Sequence, residues 1–288
     1  MTTAQPGSGP TVLRILLGSE LRQLREAKAI TREDAGYTIR ASGSKISRME
    51  LGRVSFKERD VADLLSLYGV TDEAERDALL NLAREANTPG WWHRYGEILP
   101  SWFQVYVGLE EAATLIRTYE VQFIPGLLQT EDYARAITRR GHSAAPHEEI
   151  EQRVSLRMTR QRLLARPDAP RLWAVIDEAA LRRPVGGPEV MQAQIERLIE
   201  ATKMPSVTLQ VMPFDRGGHA AEAGAFTILR FPEADLPDVV YVEQLTSALY
   251  LDKRDDVDAY MEAMELLCVE SEPPGSTVEI LSRILQET

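Results

Sequence analysis

The chain has 288 residues, of which 44% are hydrophobic and 27% are charged, and its formal net charge is −11 at pH 7. This composition is typical of a globular protein with room for two domains, and it excludes a largely disordered chain or a coiled-coil rod. No apolar run reaches the roughly 18 residues of a membrane helix, and residues 1–10 lack a signal-peptide pattern, so we expect a cytoplasmic protein without membrane contact. A single cysteine, Cys268, excludes a disulfide framework. We expect neither a metal site nor a cofactor.

Residues 1–10 (MTTAQPGSGP) are uncharged and rich in Gly, Pro, Ser and Thr, which predicts a flexible arm. Apolar side chains at three- and four-residue steps then predict five helices over 11–87. Thr31 and Ser42 are placed to cap the second and third of them. Segment 88–108 holds three of the four tryptophans, which predicts a domain junction stabilised by aromatic contacts.

The remaining segment, 109–288, mixes the periods of strands and helices. Strand candidates are 116–124, 172–176, 207–212, 226–231, 239–245 and 248–251. Helix candidates are 130–138, 146–165, 188–202, 256–270 and 277–286. The sequence therefore predicts an α+β protein, in which an N-terminal all-α five-helix domain precedes a mixed α/β domain with a mainly antiparallel sheet flanked by helices.

The net charge is unevenly distributed along the chain. Residues 11–60 carry 11 basic and 7 acidic side chains, whereas 233–288 carry 3 basic and 14 acidic ones. Phosphate binding depends on local Lys and Arg, so the negative total does not exclude nucleic acid near the N-terminus. We expect the acidic C-terminal segment to face away from DNA.

The segment TREDAGYTIRASGSKISRMELGR, residues 31–53, predicts two short helices joined by a tight turn. Ile46 and Met49 face inward at a three-residue step. The polar side chains on the outer side are Ser44, Lys45, Ser47, Arg48 and Arg53. A helix-turn-helix needs this division, because apolar residues fix the angle of the helix and polar ones meet the major groove. The segment resembles the XRE, or phage-repressor-like, helix-turn-helix family, whose five-helix length fits residues 11 to about 70.

The resemblance implies a role for each matching position. Ser44 and Lys45 would contact base edges, and Arg48 would contact bases or phosphate. The remaining predicted DNA-binding residues, which would hold phosphates or shape the helix starts, are Thr31, Arg32, Arg40, Ser42, Ser47 and Arg53.

Three positions depart from the family pattern. Gly43 stands where many relatives have a side chain that reads a base. Arg40 stands where the turn often has glycine, so the turn must be built differently. Gly36 replaces the usual alanine at the helix crossing, which indicates a smaller change.

Two other interpretations of the motif remain. A helical bundle with a solvated basic face would show a similar pattern. Ser42 and Lys45 also form the S-x-x-K string of acylated serine enzymes, but the string lies wholly within the recognition helix. We expect no catalytic activity.

The second half contains the strings PGWW, YEVQFIPGLLQTEDYARA, VIDEAALRRPVGGPEVM and VVYVEQ. It resembles the C-terminal domain of unknown function that accompanies this helix-turn-helix in actinobacterial, antitoxin-like (WhiJ-like) regulators. The 28 arginines against 5 lysines fit a high-GC genome. The resemblance implies a small companion protein encoded nearby that modulates the regulator.

Arginine forms the richest pattern in this half. Arg153, Arg157 and Arg160 fall on one stripe of a predicted helix, where they could bind an anionic ligand or the acidic tail of a partner. A solvated face balanced by nearby glutamates is the alternative.

Other candidate ligand- or partner-binding residues lie at predicted strand ends, in loops and in the junction. They either line a pocket and a partner interface, or serve as turn caps, salt-bridge partners and core. These residues are Trp91, Trp92, Glu178, Arg182, His219 and Glu243.

These patterns predict a homodimeric, sequence-specific regulator that binds a palindromic operator in double-stranded DNA, because one recognition helix covers few base pairs. The C-terminal domain would sense a small partner protein or a ligand. An antitoxin-like interaction module, with DNA binding as autoregulation, is one alternative. A self-cleaving repressor is another, with Ala223-Gly224 as cleavage dipeptide and Lys203 or Lys253 as base.

Overall fold

The computed structural model describes residues 10–221, 224–232 and 236–288. Within these residues the chain forms two compact units. The first comprises residues 10–94, 104–112, 232 and 236, and the second comprises 95–103, 113–221, 224–231 and 237–288. The predicted N-terminal arm lies outside the described residues except for Pro10.

The first unit contains the five predicted helices. They are α1 (Pro10–Ala27), α2 (Arg32–Thr38), α3 (Gly43–Glu50), α4 (Glu58–Leu67) and α5 (Glu73–Ala86). A 3-10 helix (Trp91–Tyr95) and α6 (Ser101–Ala112) follow.

Helix α1 is the centre of the first unit, because its apolar stripe is fully covered. Leu17 and Leu21 are 0% and 1% exposed. At Gly18 a Cβ would clash with the carbonyl oxygen of Met49 in α3. Only glycine allows the two backbones to approach so closely, and this contact sets the position of α3 on the helical core.

The second unit is built on a six-stranded sheet of order β3-β2-β1-β4-β5-β6. Its strands are β1 (Leu115–Glu120), β2 (Arg171–Asp177), β3 (Val207–Met212), β4 (Phe226–Arg230), β5 (Val239–Glu243) and β6 (Ala248–Leu251). β1, β2 and β3 pair in parallel, whereas β1–β4, β4–β5 and β5–β6 pair antiparallel. The predicted α+β architecture is confirmed, with a mixed sheet.

Helices flank this sheet. They are α7 (Glu131–Gly141), α8 (His147–Gln161), α9 (Glu178–Arg182), α10 (Pro188–Ala201), α11 (Arg254–Glu270) and α12 (Thr277–Glu287). One face of the sheet is apolar, where Tyr119, Phe226 and Val242 pack with Met264 and Leu267 of α11. Among the described helices, none combines the length and apolar character needed to cross a membrane.

Candidate functional site

The two short helices α2 and α3 each begin at a hydroxyl side chain. Thr31 Oγ1 accepts a hydrogen bond from the backbone N–H of Asp34 at 3.1 Å. Ser42 Oγ accepts one from the N–H of Lys45 at 3.3 Å. Each bond satisfies a donor that the first helical turn leaves open. Both predicted caps are confirmed, and they fix where α2 and α3 start.

The turn between α2 and α3 contains a non-glycine residue in the left-handed region. Arg40 has φ +55° and an exposed side chain, a conformation that costs an L-residue roughly 1–2 kcal/mol. At Gly36 a Cβ would lie 2.7 Å from the carbonyl oxygen of Ala41. The change at Gly36 is therefore not the minor one expected from the sequence, because the turn needs glycine there.

Helix α3 has one buried and one outward side, as predicted. Ile46 and Met49 are each 1% exposed, whereas Ser44 and Arg48 are exposed and Ser47 is half-buried. The side chains of Ser44 and Arg48 bond to no other residue that the structure describes. They are therefore available to base edges or phosphates. Arg53, just after α3, is also exposed.

A buried ion network holds α3 against the helical core. Glu50 Oε1 accepts a hydrogen bond from Arg25 Nε at 2.5 Å, and Glu50 Oε2 accepts one from Arg32 Nε at 2.9 Å. The hydrogen bond to Glu50 raises the pKa of Arg25. Arg32, a predicted phosphate contact, is thus oriented by Glu50, and its two terminal nitrogens bond to no other described residue.

Lys45, which is predicted to contact base edges, forms an ion pair with an acidic side chain of α4. Its Nζ lies 2.6 Å from Oδ2 of Asp60 in α4, and the Asp60 side chain is only 9% exposed. A base contact by Lys45 therefore requires this ion pair to break or to be shared. Sequence reasoning missed Asp60 because it lies 15 residues away, outside the motif.

Tyr37 is a second residue that the sequence patterns did not single out. Its side chain is 87% exposed, and it lines an open groove at the turn together with Thr38, Arg40, Ala41 and Ser42. A phenol hydroxyl beside an arginine suits a phosphate oxygen. The groove extends the candidate DNA-binding surface from α3 to the end of α2.

Trp91 and Trp92 pack within the first unit. Their rings meet edge to face with centroids 5.9 Å apart. Trp92 is 2% exposed, and a Cβ at Gly108 would lie 2.9 Å from its ring. Trp91 Nε1 donates to Glu111 Oε2 at 2.8 Å. These contacts favour core packing over a partner interface for Trp92.

The arginine stripe lies on α8 at the predicted spacing, but it is not a solvated face. Arg153 pairs with Glu149 at 2.7 Å, as the alternative interpretation expected. Arg160 is 8% exposed, and its guanidinium lies 5.1 Å from the centre of the Phe103 ring. Arg157 is half-buried and donates to Gln129 Oε1 at 3.0 Å.

Glu178 and Arg182 form a local ion-pair network at α9. Arg182 Nε donates to Glu178 Oε1 at 2.6 Å, and its Nη1 donates to Glu287 Oε2 at 2.7 Å. Glu178 Oε2 also accepts the backbone N–H of Phe214 at 3.0 Å. Both residues thus connect elements of the second unit, which favours the structural alternative.

His219 lies beside two polar side chains at the carboxyl edge of the sheet. Its Nε2 is 2.9 Å from the Tyr119 hydroxyl and 3.7 Å from Asp177 Oδ2. Tyr119 in turn donates to Asp177 Oδ2 at 3.2 Å. Burial raises the pKa of Tyr119 above its ordinary value. The phenol therefore stays protonated and serves as a donor.

Glu243 ends β5, and Glu120 ends β1 at the same edge of the sheet. Burial, followed by the charge of Glu243, raises the pKa of Glu120 to about 8. Arg157 opposes this shift. The structure thus brings the predicted residues Arg157 and Glu243 together around an acid that sequence reasoning missed. The available signal was an acid in the middle of the predicted strand 116–124.

Only part of the group of residues proposed for self-cleavage lies in the described part of the chain. Ala223 lies outside them. Lys203 is exposed and pairs with Glu200 at 2.7 Å, so it lacks the burial that would make a lysine a base.

Comparison with known families gives two matches. Residues 103–283 match a domain of unknown function, DUF5753, and residues 16–79 match a helix-turn-helix domain. No curated protein and no solved structure matches the chain.

Proposed function

Because this chain belongs to the family of the domain of unknown function DUF5753 and carries a helix-turn-helix domain, we propose that it is a sequence-specific transcriptional regulator of the XRE type. In this proposal it acts as a cytoplasmic homodimer on a palindromic operator and has no catalytic role. The helix-turn-helix domain itself suggests a DNA-binding regulator.

The outward side of α3 is the observation that carries the proposal. Ser44 and Arg48 are exposed while Ile46 and Met49 are buried beneath them. A helix held rigidly by its apolar side can place a small set of polar side chains in the major groove. Arg40 and Tyr37 continue this surface at the turn, where phosphate contacts would fix the register.

We assign the modulating role to the DUF5753 domain. Its effector is a small companion protein of the actinobacterial, WhiJ-like kind or a small ligand. Arg157, Glu120 and Glu243 support a ligand, because they are charged side chains gathered at one edge of the sheet without direct ion pairs between them.

Fluorescence anisotropy with the DNA upstream of the protein's own gene tests DNA binding. We expect tight binding with a stoichiometry of two chains per site, and a steep fall in affinity with salt. Replacing Ser44 and Arg48 together by alanine is expected to weaken specific binding by about 30-fold or more, since two base contacts of roughly 1–3 kcal/mol each contribute at least about 2 kcal/mol together.

Lys203→Ala is the matched control, because it removes one exposed positive charge from the second unit. It should leave the affinity unchanged. Specific binding at full strength by a folded Ser44→Ala, Arg48→Ala protein would refute the role of α3. Absence of any preference for the promoter sequence would refute sequence-specific regulation from this site.

A further inference from the structure

One part of the sheet in the second unit is polar where a helix-covered face is ordinarily apolar. Thr118 in β1 pairs with Thr227 in β4, which pairs with Tyr241 in β5. All three are buried, at 4%, 6% and 5% exposure. Their side chains point away from the apolar core face, because that face holds the alternate residues of the same strands. The hydroxyl oxygens of Thr118 and Thr227 lie 2.9 Å apart and hydrogen-bond to each other, which offsets the cost of burying them.

Two acids lie next to this polar patch of Thr118, Thr227 and Tyr241, at the carboxyl edge of the sheet. Side chains alternate along a strand, so Glu120 shares the face of Thr118, and Glu243 shares that of Tyr241. Tyr241 confirms this geometry, since its hydroxyl donates to Glu243 Oε2 at 2.8 Å. Two carboxylates therefore lie at the same level on one face, separated by the width of β4.

Arg157 on α8 lies close enough to these carboxylates to interact with their charge, but it makes no ion pair with them. The carboxylates of Glu120 and Glu243 both act on its charge, yet none of its nitrogens lies within 4.0 Å of either acid among the described residues. Its Nη1 is fixed by Gln129 at 3.0 Å. The other guanidinium nitrogens and the Glu120 oxygens are unpaired and still reach solvent.

This arrangement leaves the guanidinium near two carboxylates without a direct ion pair to either of them. Burial lowers the pKa of Arg157 to about 10, and burial also raises that of Glu120 to about 8. Burial therefore makes both charged forms less favourable than they are in water. A ligand that supplied a cation to the acids and an anion to the arginine would stabilise both.

We propose that Glu120, Glu243 and Arg157 form a binding site for a small zwitterion of the free amino acid or short peptide class. The ligand's ammonium group binds between the two carboxylates, and its carboxylate binds the unpaired nitrogens of Arg157. A simple anion would give the two acids no cation to bind, and a simple amine would give the guanidinium no anion. The inference rests on the proposed regulatory function and specifies the chemical class of the effector that the DUF5753 domain binds.

The test is thermal unfolding and titration calorimetry of the full chain with three sets of probes. These are free L-amino acids and dipeptides, their N-acetyl derivatives without the ammonium group, and the corresponding amines without the carboxylate. We expect at least one zwitterion to raise Tm by about 5 °C or more at about a hundredfold excess over its Kd. Its acetylated and decarboxylated forms should bind at least about tenfold more weakly.

Glu120→Gln and Arg157→Gln are expected to abolish this binding, whereas Arg153→Gln, one turn earlier on α8, should retain it. Calorimetry in buffers of different ionisation heat should show proton release when the native protein binds the zwitterion, because the ammonium group favours the ionised form of Glu120. Failure of every zwitterion, equal binding of an acetylated or decarboxylated form, or full binding by Glu120→Gln would overturn the inference. DNA binding is measured separately, in the absence of zwitterion. A protein that fails to bind DNA would refute the proposed function, whereas a protein that fails to bind any zwitterion would refute only this inference.

Discussion

The left-handed conformation of Arg40 makes a prediction in which stability and DNA affinity change in opposite directions. At φ +55° an L-residue carries roughly 1–2 kcal/mol of strain. Glycine relieves that strain but has roughly 0.5–1 kcal/mol more chain entropy to lose on folding. We expect Arg40→Gly to raise the free energy of unfolding by about 0.5–1 kcal/mol, measured by urea denaturation.

The same substitution removes a positive charge from the edge of the candidate DNA surface. If Arg40 contacts a phosphate, Arg40→Gly should reduce the slope of log affinity against log salt by about 0.9. Arg40→Ala removes the same charge but keeps a Cβ at positive φ, so its DNA binding should fall equally without a gain in stability. Anisotropy titrations at several salt concentrations measure the slope.

Ala29 offers the reverse control, because it has φ +51° and lies in the loop after α1. Ala29→Gly should gain stability like Arg40→Gly while leaving the salt slope unchanged. A less stable Arg40→Gly beside a more stable Ala29→Gly would refute the strain at the turn. An unchanged salt slope in both Arg40 variants would refute the phosphate contact.

Three further predictions concern buried charges. Glu50→Ala should lower the free energy of unfolding by roughly 3 kcal/mol in a urea titration, since it removes the buried carboxylate partner of Arg25 and leaves that arginine only the half-exposed Glu26 and the Ile30 carbonyl; a loss under about 1 kcal/mol would contradict this. Asp60→Asn should free Lys45 and tighten DNA binding several-fold in anisotropy titrations, and an unchanged or weaker affinity would show that Lys45 makes no DNA contact. Burial raises the pKa of Glu120 to about 8 in the folded state, against about 4.5 in the unfolded chain. Between these two pH values the folded protein keeps a proton that the unfolded chain has lost, so the free energy of unfolding falls as pH rises from about 4.5 to about 8. Glu120→Gln should therefore gain stability over the native protein at the alkaline end of this range and little at pH 5, and a gain independent of pH would count against the shift.

The elements and caps could be predicted because their signals are local. Thr31 and Ser42 each bond three residues ahead, a distance visible in any short window of sequence. The strand predictions also succeed, but β1 ends at Glu120 where the pattern predicted a run to residue 124. After Glu120 the chain leaves the sheet, yet Val121 packs against the core of the sheet and Ile124 is buried. A hydrophobic pattern cannot distinguish such a segment from a longer strand.

The site residues were harder to predict because their partners are distant in the chain. Arg157 and Glu243 were selected as an arginine in a stripe and an acid at a strand end. Their relation to Glu120 depends on the register of β1, β4 and β5 and on the packing of α8. The burial of Arg160 was also difficult to predict, because its periodic spacing placed it on one stripe of α8 without showing that this stripe packs inward.

Thermodynamic linkage connects the two proposed activities and constrains both. If a zwitterion at Glu120 and Arg157 changes the affinity for operator DNA by a given factor, then saturating DNA must change the affinity for the zwitterion by the same factor. A ligand that binds the second unit equally well in the free and DNA-bound protein cannot be the modulator, however tightly it binds. Calorimetry with and without operator DNA therefore separates a regulatory ligand from one that only stabilises the sheet domain. Equal zwitterion affinities in the two titrations would leave the companion protein as the effector of DNA binding.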